Sequence, residues 1–242
     1  MPKAHDAVQV TWCGHSAFLV RHGSHSFYID PFLKDNPRCP SSEQRPHPVE
    51  AVFLTHAHPG HAGDVFTIAK QQPAKIVAVV GVASWLKRNG APPEQIIEAN
   101  EGGSVEAAGV RAHIVHALHS GGIAEGGVPV FCGNPVGFVL DFPNGVRIYH
   151  AGDTGVFGDM ELIAALYHPD IALLPIGGYS TMGPREAAHA CRLLKVKAVV
   201  PMHYGTFPRL TGTPGELRRH LGGSCEVAEL VPGVAWECHG RA

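Results

Sequence analysis

The segment Leu54-Thr55-His56-Ala57-His58-Pro59-Gly60-His61 carries three histidines within six residues, directly after the apolar run Ala51 to Leu54. That run reads as a short buried strand. His56 and His58 are two apart, so in extended chain both point to one side. His61 follows a turn at Pro59-Gly60, at the expected start of a helix over Ala62 to Lys70. A loop leaving a strand thereby aims three imidazoles at one small volume. Transition-metal chemistry requires that convergence, because Zn²⁺ takes nitrogen and oxygen ligands at about 2.0–2.2 Å and imidazole is the commonest protein ligand.

Further donors lie downstream. Val115-His116-Ala117-Leu118-His119-Ser120 ends a strand beginning near Val110. His119 stands nearest the strand end, beside a glycine-rich stretch, and is the preferred ligand; His113 and His116 read as partly buried strand residues. Tyr149-His150-Ala151-Gly152-Asp153-Thr154-Gly155 sets an aspartate in a tight turn after another strand, where its carboxylate could bridge two cations. Val200-Pro201-Met202-His203-Tyr204-Gly205 places His203 just past a third. His56, His58, His61, His119, Asp153 and His203 thus all follow expected strands. Asp30, before Pro31, is either an acceptor that fixes the tautomer of a ligand histidine or a turn carboxylate. His15, after the first strand, lines a pocket or caps a turn. Tyr204 either donates to a developing oxyanion or packs.

Outward from these motifs, strands dominate the first third: Val8 to Trp12, then a hairpin of Ala17 to Val20 with Ser26 to Ile29. Lys34 to Pro48 is polar and proline-rich and reads as a surface loop. Strands follow over Lys75 to Val80, Ile96 to Glu98, Ser104 to Ala107 and Val110 to Ala117, with a helix over Gly81 to Asn89. Gly121 to Gly133 reads as a mobile loop. Val136 to Phe142 and Arg147 to His150 form a hairpin over an Asn-Gly turn. Helices over Gly158 to Tyr167, Pro184 to Leu194 and Pro214 to Leu221 then alternate with strands over Ile171 to Pro175, Ala198 to Pro201 and a closing Cys225 to Leu230. The second half partly echoes the first, which is consistent with two sheets packed face to face with helices outside.

Composition sets the wider limits. The chain has 242 residues, and no linker or low-complexity tract divides it, so a single domain over residues 1–242 is expected. A formal charge of -2 argues against nucleic acid or an anionic membrane as partner. Seventeen histidines are an unusual excess. Six cysteines with no C-x-x-C pair read as reduced thiols, Cys191 among them as a small core residue. Met1 to Val10, with Lys3, His5 and Asp6, lacks a signal-peptide apolar region, and no stretch approaches the roughly 20 apolar residues of a membrane span. A cytoplasmic protein is expected.

The joint pattern resembles the metallo-β-lactamase superfamily from about Val8 to Val231, and within it most the UPF0173 and UlaG-like metal-dependent hydrolases. The residues that carry it are Gly14-His15-Ser16, Asp30-Pro31-Phe32 with Asn36-Pro37, Thr55-His56-Ala57-His58, His61-Ala62-Gly63-Asp64, His119-Ser120, Ala151-Gly152-Asp153-Thr154 and Pro201-Met202-His203-Tyr204. The resemblance implies an α/β (α+β) fold, the four-layer αββα sandwich. It implies a first ion on His56, His58 and His119, a second on His61 and His203, and Asp153 bridging both. Asp153 and His203 would serve catalysis, with metal-activated hydroxide as nucleophile. Zn²⁺ suits these donors, and Mn²⁺, Fe²⁺ or Ni²⁺ also fit.

The sequence departs from the family's H-x-H-x-D-H motif at one position, where Gly60 replaces the aspartate that ligates the second ion. That substitution should weaken dinuclear binding. Asp64, one helical turn after His61, is expected to be structural or to support a ligand, with replacement of the lost carboxylate as the alternative. The expected activity is hydrolysis of an ester, lactone or phosphoester in a small polar substrate. The rival is a metal-binding but catalytically impaired protein that binds a ligand or partner. Nucleic-acid processing is disfavoured, and homo-oligomers are common in the subgroup.

Overall fold

The computed structural model describes residues 7–239, so the expectation drawn from Lys3, His5 and Asp6 lies outside the described residues. Strands β1 (Val8–Trp12), β2 (Phe18–His22), β3 (His25–Ile29), β4 (Ala51–Phe53), β5 (Lys75–Val79) and β6 (Ile96–Ala99) form most of one sheet. Strands β7 (Ser104–Ala107) and β8 (Val110–His116) open the second sheet, and β9 (Gly122–Glu125) pairs with β10 (Val128–Phe131) as a separate hairpin. β11 (Val136–Asp141), β12 (Arg147–His150), β13 (Ile171–Pro175), β14 (Ala198–Met202) and β15 (Glu226–Val227) complete the second sheet. The last strand, β16 (Ala235–Cys238), crosses back to the first.

Each large sheet has seven strands, in the orders β16-β1-β2-β3-β4-β5-β6 and β15-β14-β13-β12-β11-β8-β7. Helices α1 (Pro59–Ala62), α2 (Val65–Gln71) and α3 (Val80–Arg88) belong to the first half, and α4 (Met160–Tyr167), α5 (Pro184–Leu194) and α6 (Pro214–Leu221) to the second. The expected αββα sandwich is present, with helices flanking two stacked sheets. The centre of each sheet is parallel: β3-β4-β5 in one, β12-β13-β14 in the other. β4, β13 and β14 are buried at every position, as continuous apolar runs covered on both faces should be. One buried apolar cluster joins the facing sheets, with Phe27, Phe53 and Phe138 in edge contact across it. The cysteines of the described residues are all free, and Cys191 is buried in the core. No helix among the described residues is long and apolar enough to cross a membrane.

Three expectations change. The helix expected over Ala62 to Lys70 is two helices. Asp64 N–H donates to Pro31 O rather than to the preceding turn, which ends α1 before Ile68 N–H can begin a new ladder on Asp64 O. The stretch from Gly121 to Gly133 is not an open loop but carries the β9–β10 hairpin, turned at Gly126-Gly127, both with positive φ. Glycine density there marks the turn rather than the lack of strands. The closing strand expected over Cys225 to Leu230 pairs with β14 only at Glu226 and Val227. A turn at Pro232-Gly233 then sends the chain to β16, antiparallel to β1.

Candidate metal centre

Parallel strands in the middle of both sheets bring their following loops to one end of the sandwich. Five loops contribute, after β4, β8, β12, β14 and β1. They are joined by backbone hydrogen bonds: Val136 N–H donates to Thr55 O (3.1 Å), His203 N–H to His15 O (2.9 Å) and Gly155 N–H to Leu118 O (2.9 Å). Gly152 lets the aspartate loop press on the histidine loop. A Cβ there would meet Val136 O at 2.8 Å and Thr55 Cβ at 3.0 Å, and its φ is +61°.

The loop after β4 orients its histidines through a defined chain. Thr55 Oγ1–H donates to the buried Asp30 Oδ2 at 2.7 Å, so the same oxygen accepts from His56 Nδ1 at 2.9 Å. That leaves the His56 Nε2 lone pair facing inward. His58 Nε2–H donates to Gly122 O at 2.9 Å, leaving the lone pair on its Nδ1. The two lone-pair nitrogens face each other at 2.9 Å, and His119 Nε2 lies 3.3 Å from His58 Nδ1. Acceptors packed so closely need a shared positive charge. Tetrahedral Zn²⁺ with nitrogen at 2.0–2.1 Å would set neighbouring ligands about 3.3 Å apart. Among the described residues, His56, His58, His119 and Asp153 bring one donor atom each within 4.8 Å of one another.

A second group stands beside it. His61 Nδ1–H donates to Asp30 Oδ2 at 2.7 Å. Its Nε2 lies 3.2 Å from Asp153 Oδ1, out of line for a hydrogen bond, and both atoms are buried without a hydrogen-bond partner. His203 Nε2 lies 3.1 Å from Asp153 Oδ2, and His203 Nδ1 is likewise buried and unpartnered. His15, His61 and His203 form a second trio with donor atoms within 4.8 Å. The orphaned His61 Nε2 and Asp153 Oδ1, facing each other across 3.2 Å, fit a cation between them.

The electrostatics agree with this. Burial and the neighbouring His61 push His56 well below its ordinary value. Burial likewise lowers His58 and His119, and with His203 and His61 it brings His15 down to about 2. These rings are neutral donors at neutral pH. His61 is the exception: burial opposes its charge, but Asp153 and Asp30 outweigh burial and raise it to about 10. Burial also opposes ionisation of Asp153, yet His203 and His61 hold it well below the carboxylate range. Without an ion, an imidazolium balances the carboxylate.

All six residues expected as ligands meet here, and Asp30 is an acceptor for a cluster histidine, as one of its two readings held. Asp30 Oδ1 also accepts from Thr55 N–H at 2.8 Å, which commits the carboxylate to support. His15 lines the cavity from within a turn, so the structure does not separate its two readings. Asp64 stands outside these donor groups: its Oδ2 accepts from Leu33 N–H (2.8 Å) and Lys34 N–H (3.0 Å), fixing the loop after β3. Tyr204 packs rather than lining the cavity. It stacks on Trp12 at 5.3 Å beneath the Arg38 guanidinium. His113 and His116 lie apart, paired with Asp141 and Glu101.

The sequence reading missed Thr55, Gly122 and Thr206, whose roles depend on contacts with distant loops. It also missed the cavity rim. A cavity of about 540 Å³ opens over the two groups, with Tyr179, Phe207 and Arg209 among its lining residues. Arg209 Nη1–H donates to Tyr179 Oη at 2.6 Å, with the guanidinium over the tyrosine ring.

Comparison with known proteins agrees with this geometry. The family model described as the β-lactamase superfamily domain matches residues 25–204. A UPF0173 metal-dependent hydrolase of Koribacter versatilis is 43% identical over 231 residues, 95% of this chain and 97% of that protein. One from Methanopyrus kandleri is 42% identical over 233 residues, 95% of this chain and all of its own length. Igni18, a metallo hydrolase of Ignicoccus hospitalis, superposes with a TM-score of 0.86 at 34% identity, covering 97% of this chain and 100% of its own.

Proposed function

Because the chain belongs to the UPF0173 metal-dependent hydrolases of the β-lactamase superfamily, we propose that it hydrolyses an ester, lactone or phosphoester bond in a small polar substrate. The observation that carries this reading is the meeting of the His56 and His58 lone pairs at 2.9 Å, beside His119 and Asp153. His56, His58 and His119 would hold a first ion, His61 and His203 a second, and Asp153 would face both. A divalent ion there supplies Lewis acidity and lowers the pKa of a bound water from 15.7 to about 7; Zn²⁺ is favoured by the nitrogen-rich donor set.

The protein's own groups do the rest. Asp153, kept ionised by its histidine neighbours, would orient the attacking water by accepting a hydrogen bond at a carboxylate oxygen. His203, with Nε2 3.1 Å from Asp153 Oδ2, holds that carboxylate in place. Arg209 and Tyr179 at the rim offer a cation and a phenol to an anionic or polar substrate, and Phe207 adds an apolar wall. The cavity volume suits a small molecule.

The test uses the metal-loaded protein with bis(p-nitrophenyl) phosphate, p-nitrophenyl acetate and a simple lactone. Turnover of at least one, lost on chelation and restored by Zn²⁺ or Mn²⁺, is expected. A fully loaded protein that turns over none of them would sink the hydrolase reading and leave a metal-binding protein that recognises a ligand.

A further inference from the structure

His15 is a buried imidazole with a restricted geometry. Its backbone is left-handed at φ +53°, as are Asp30 at +47° and His203 at +54°. Such conformations in non-glycine residues are strained and persist where the surroundings impose them. The His15 ring lies 3.9 Å from the His203 ring and 5.6 Å from the His61 ring, centroid to centroid. Its Nδ1 is 3.1 Å from Thr206 Oγ1. With Nδ1–H donated to that hydroxyl, Nε2 carries the lone pair, the arrangement that supporting residues impose on metal-bound histidine.

Gly60 makes room for this ring. A Cβ at position 60 would lie 3.1 Å from His15 Nε2 and 3.3 Å from its Cδ2, closer than side-chain carbons ordinarily come. A side chain at 60 would therefore require the His15 ring to give by a few tenths of an ångström. The same position is where the motif's aspartate would enter the second site. The absent carboxylate and the inward histidine are thus two sides of one packing arrangement.

We propose that His15 Nε2 is a ligand of the second ion, which His15, His61 and His203 bind together with Asp153, in place of a carboxylate from position 60. This rests on the metal-dependent reading of the site. The resulting donor set is richer in nitrogen than one that uses aspartate. It favours Zn²⁺, Co²⁺ or Ni²⁺ over Mn²⁺, since imidazole suits the former and carboxylate the latter.

The decisive experiment is Co²⁺ and Zn²⁺ titration of the metal-stripped full-length protein, read by native mass spectrometry and by cobalt absorption bands. His15→Asn keeps a residue that tolerates left-handed backbone but withdraws the ring. Two ions are expected in the unaltered protein. One is expected in His15→Asn, with unchanged affinity for the first. Two are expected again in His15→Asn combined with Gly60→Asp. Thr206→Val keeps the ring and should weaken only the second ion, by about 10- to 100-fold; circular dichroism of each variant checks its fold. Two ions bound with unchanged affinity in both His15→Asn and Thr206→Val would overturn the assignment and leave the hydrolase reading intact. A single ion in the unaltered protein, lost in His58→Ala, would also overturn it while sparing that reading. No ion at all would bring down both.

Discussion

His56 and His58 sit two residues apart on one loop, and each takes its orientation from a hydrogen bond to a group that is not itself a ligand: Thr55 for one, Gly122 O for the other. His15, His61 and His203 come from three separate segments, His61 from helix α1, and two of the three stand on left-handed backbone. Two of the first cluster's histidines are therefore locally encoded and its members stand on relaxed backbone, with His119 and Asp153 brought in from other loops, while the second cluster is assembled wholly from separated segments and held under strain. Asp153 faces both, 3.7 Å from His119 Nε2 and within 3.2 Å of His61 and His203. The difference teaches that one centre can divide its work. A cluster on relaxed backbone is expected to retain an ion more firmly than one on strained backbone, and variants of each cluster test that division.

The largest effect should come from removing the first cluster. His58→Ala is expected to cost one ion and bring hydrolysis to background, measured by elemental mass spectrometry and turnover together. Retained turnover on the remaining ion would invert the division, making the strained cluster sufficient for catalysis. Asp153→Asn should come next, because it touches both clusters. In the metal-free protein it leaves the buried His61 charge facing only Asp30. Breaking a buried pair costs about 3–5 kcal/mol, which in a chain of this size means a melting temperature lower by roughly 10 °C. An unchanged melting temperature would mean that His61 is neutral without metal.

Supporting residues should then separate the clusters. Thr55→Val breaks the chain to His56 alone. Asp30→Asn disturbs His61 directly and His56 through Thr55. Losses of about 10- to 100-fold in metal affinity are expected for each, confined to the first ion in the former and shared in the latter. Equal losses from both variants would show that the two ions are not independent.

The same contrast explains what could be read beforehand. Leu54 to His61 announced His56, His58 and His61 because strand period, turn residues and ligand spacing lie within one short segment. His119, Asp153 and His203 were legible as polar residues just past apolar strands, since parallel strands carry their C-terminal loops to one end. His15 could be placed only at the pocket, because its approach to Gly60 is a contact between residues 45 apart in sequence, set by how β1 and β4 share a sheet. Thr206 was invisible for the same reason. The β9–β10 hairpin was hidden by its glycines, and with it the Gly122 carbonyl that fixes His58. Strand β16 was missed because Ala235 to Cys238 is short and only its last residue is fully buried; its pairing with β1 is a long-range event that local pattern does not record.

Acid and base should finally tell the clusters apart in the metal-free protein. His15, His56, His58, His119 and the buried His150 all have folded values below the ordinary histidine range. They stay neutral in the fold but protonate in the unfolded chain below about pH 6.5. The unfolded state then binds more protons, and stability falls with acid. Between pH 6.5 and 5.5 the melting temperature should drop by on the order of 5–10 °C. His61 runs the other way. Its folded value is raised to about 10, so its contribution is complete below about 6.5 and is lost as pH climbs toward 10. From pH 7 to 8, below the range where unfolded thiols ionise, this one group should lower the melting temperature by roughly 3 °C. Scanning calorimetry of the unaltered protein and of His61→Gln reads it directly. The acid limb should persist in the variant while the alkaline limb flattens. An alkaline limb that survives in His61→Gln would place the charge balancing Asp153 on His119 and would shift the polar pivot of the centre toward the relaxed cluster.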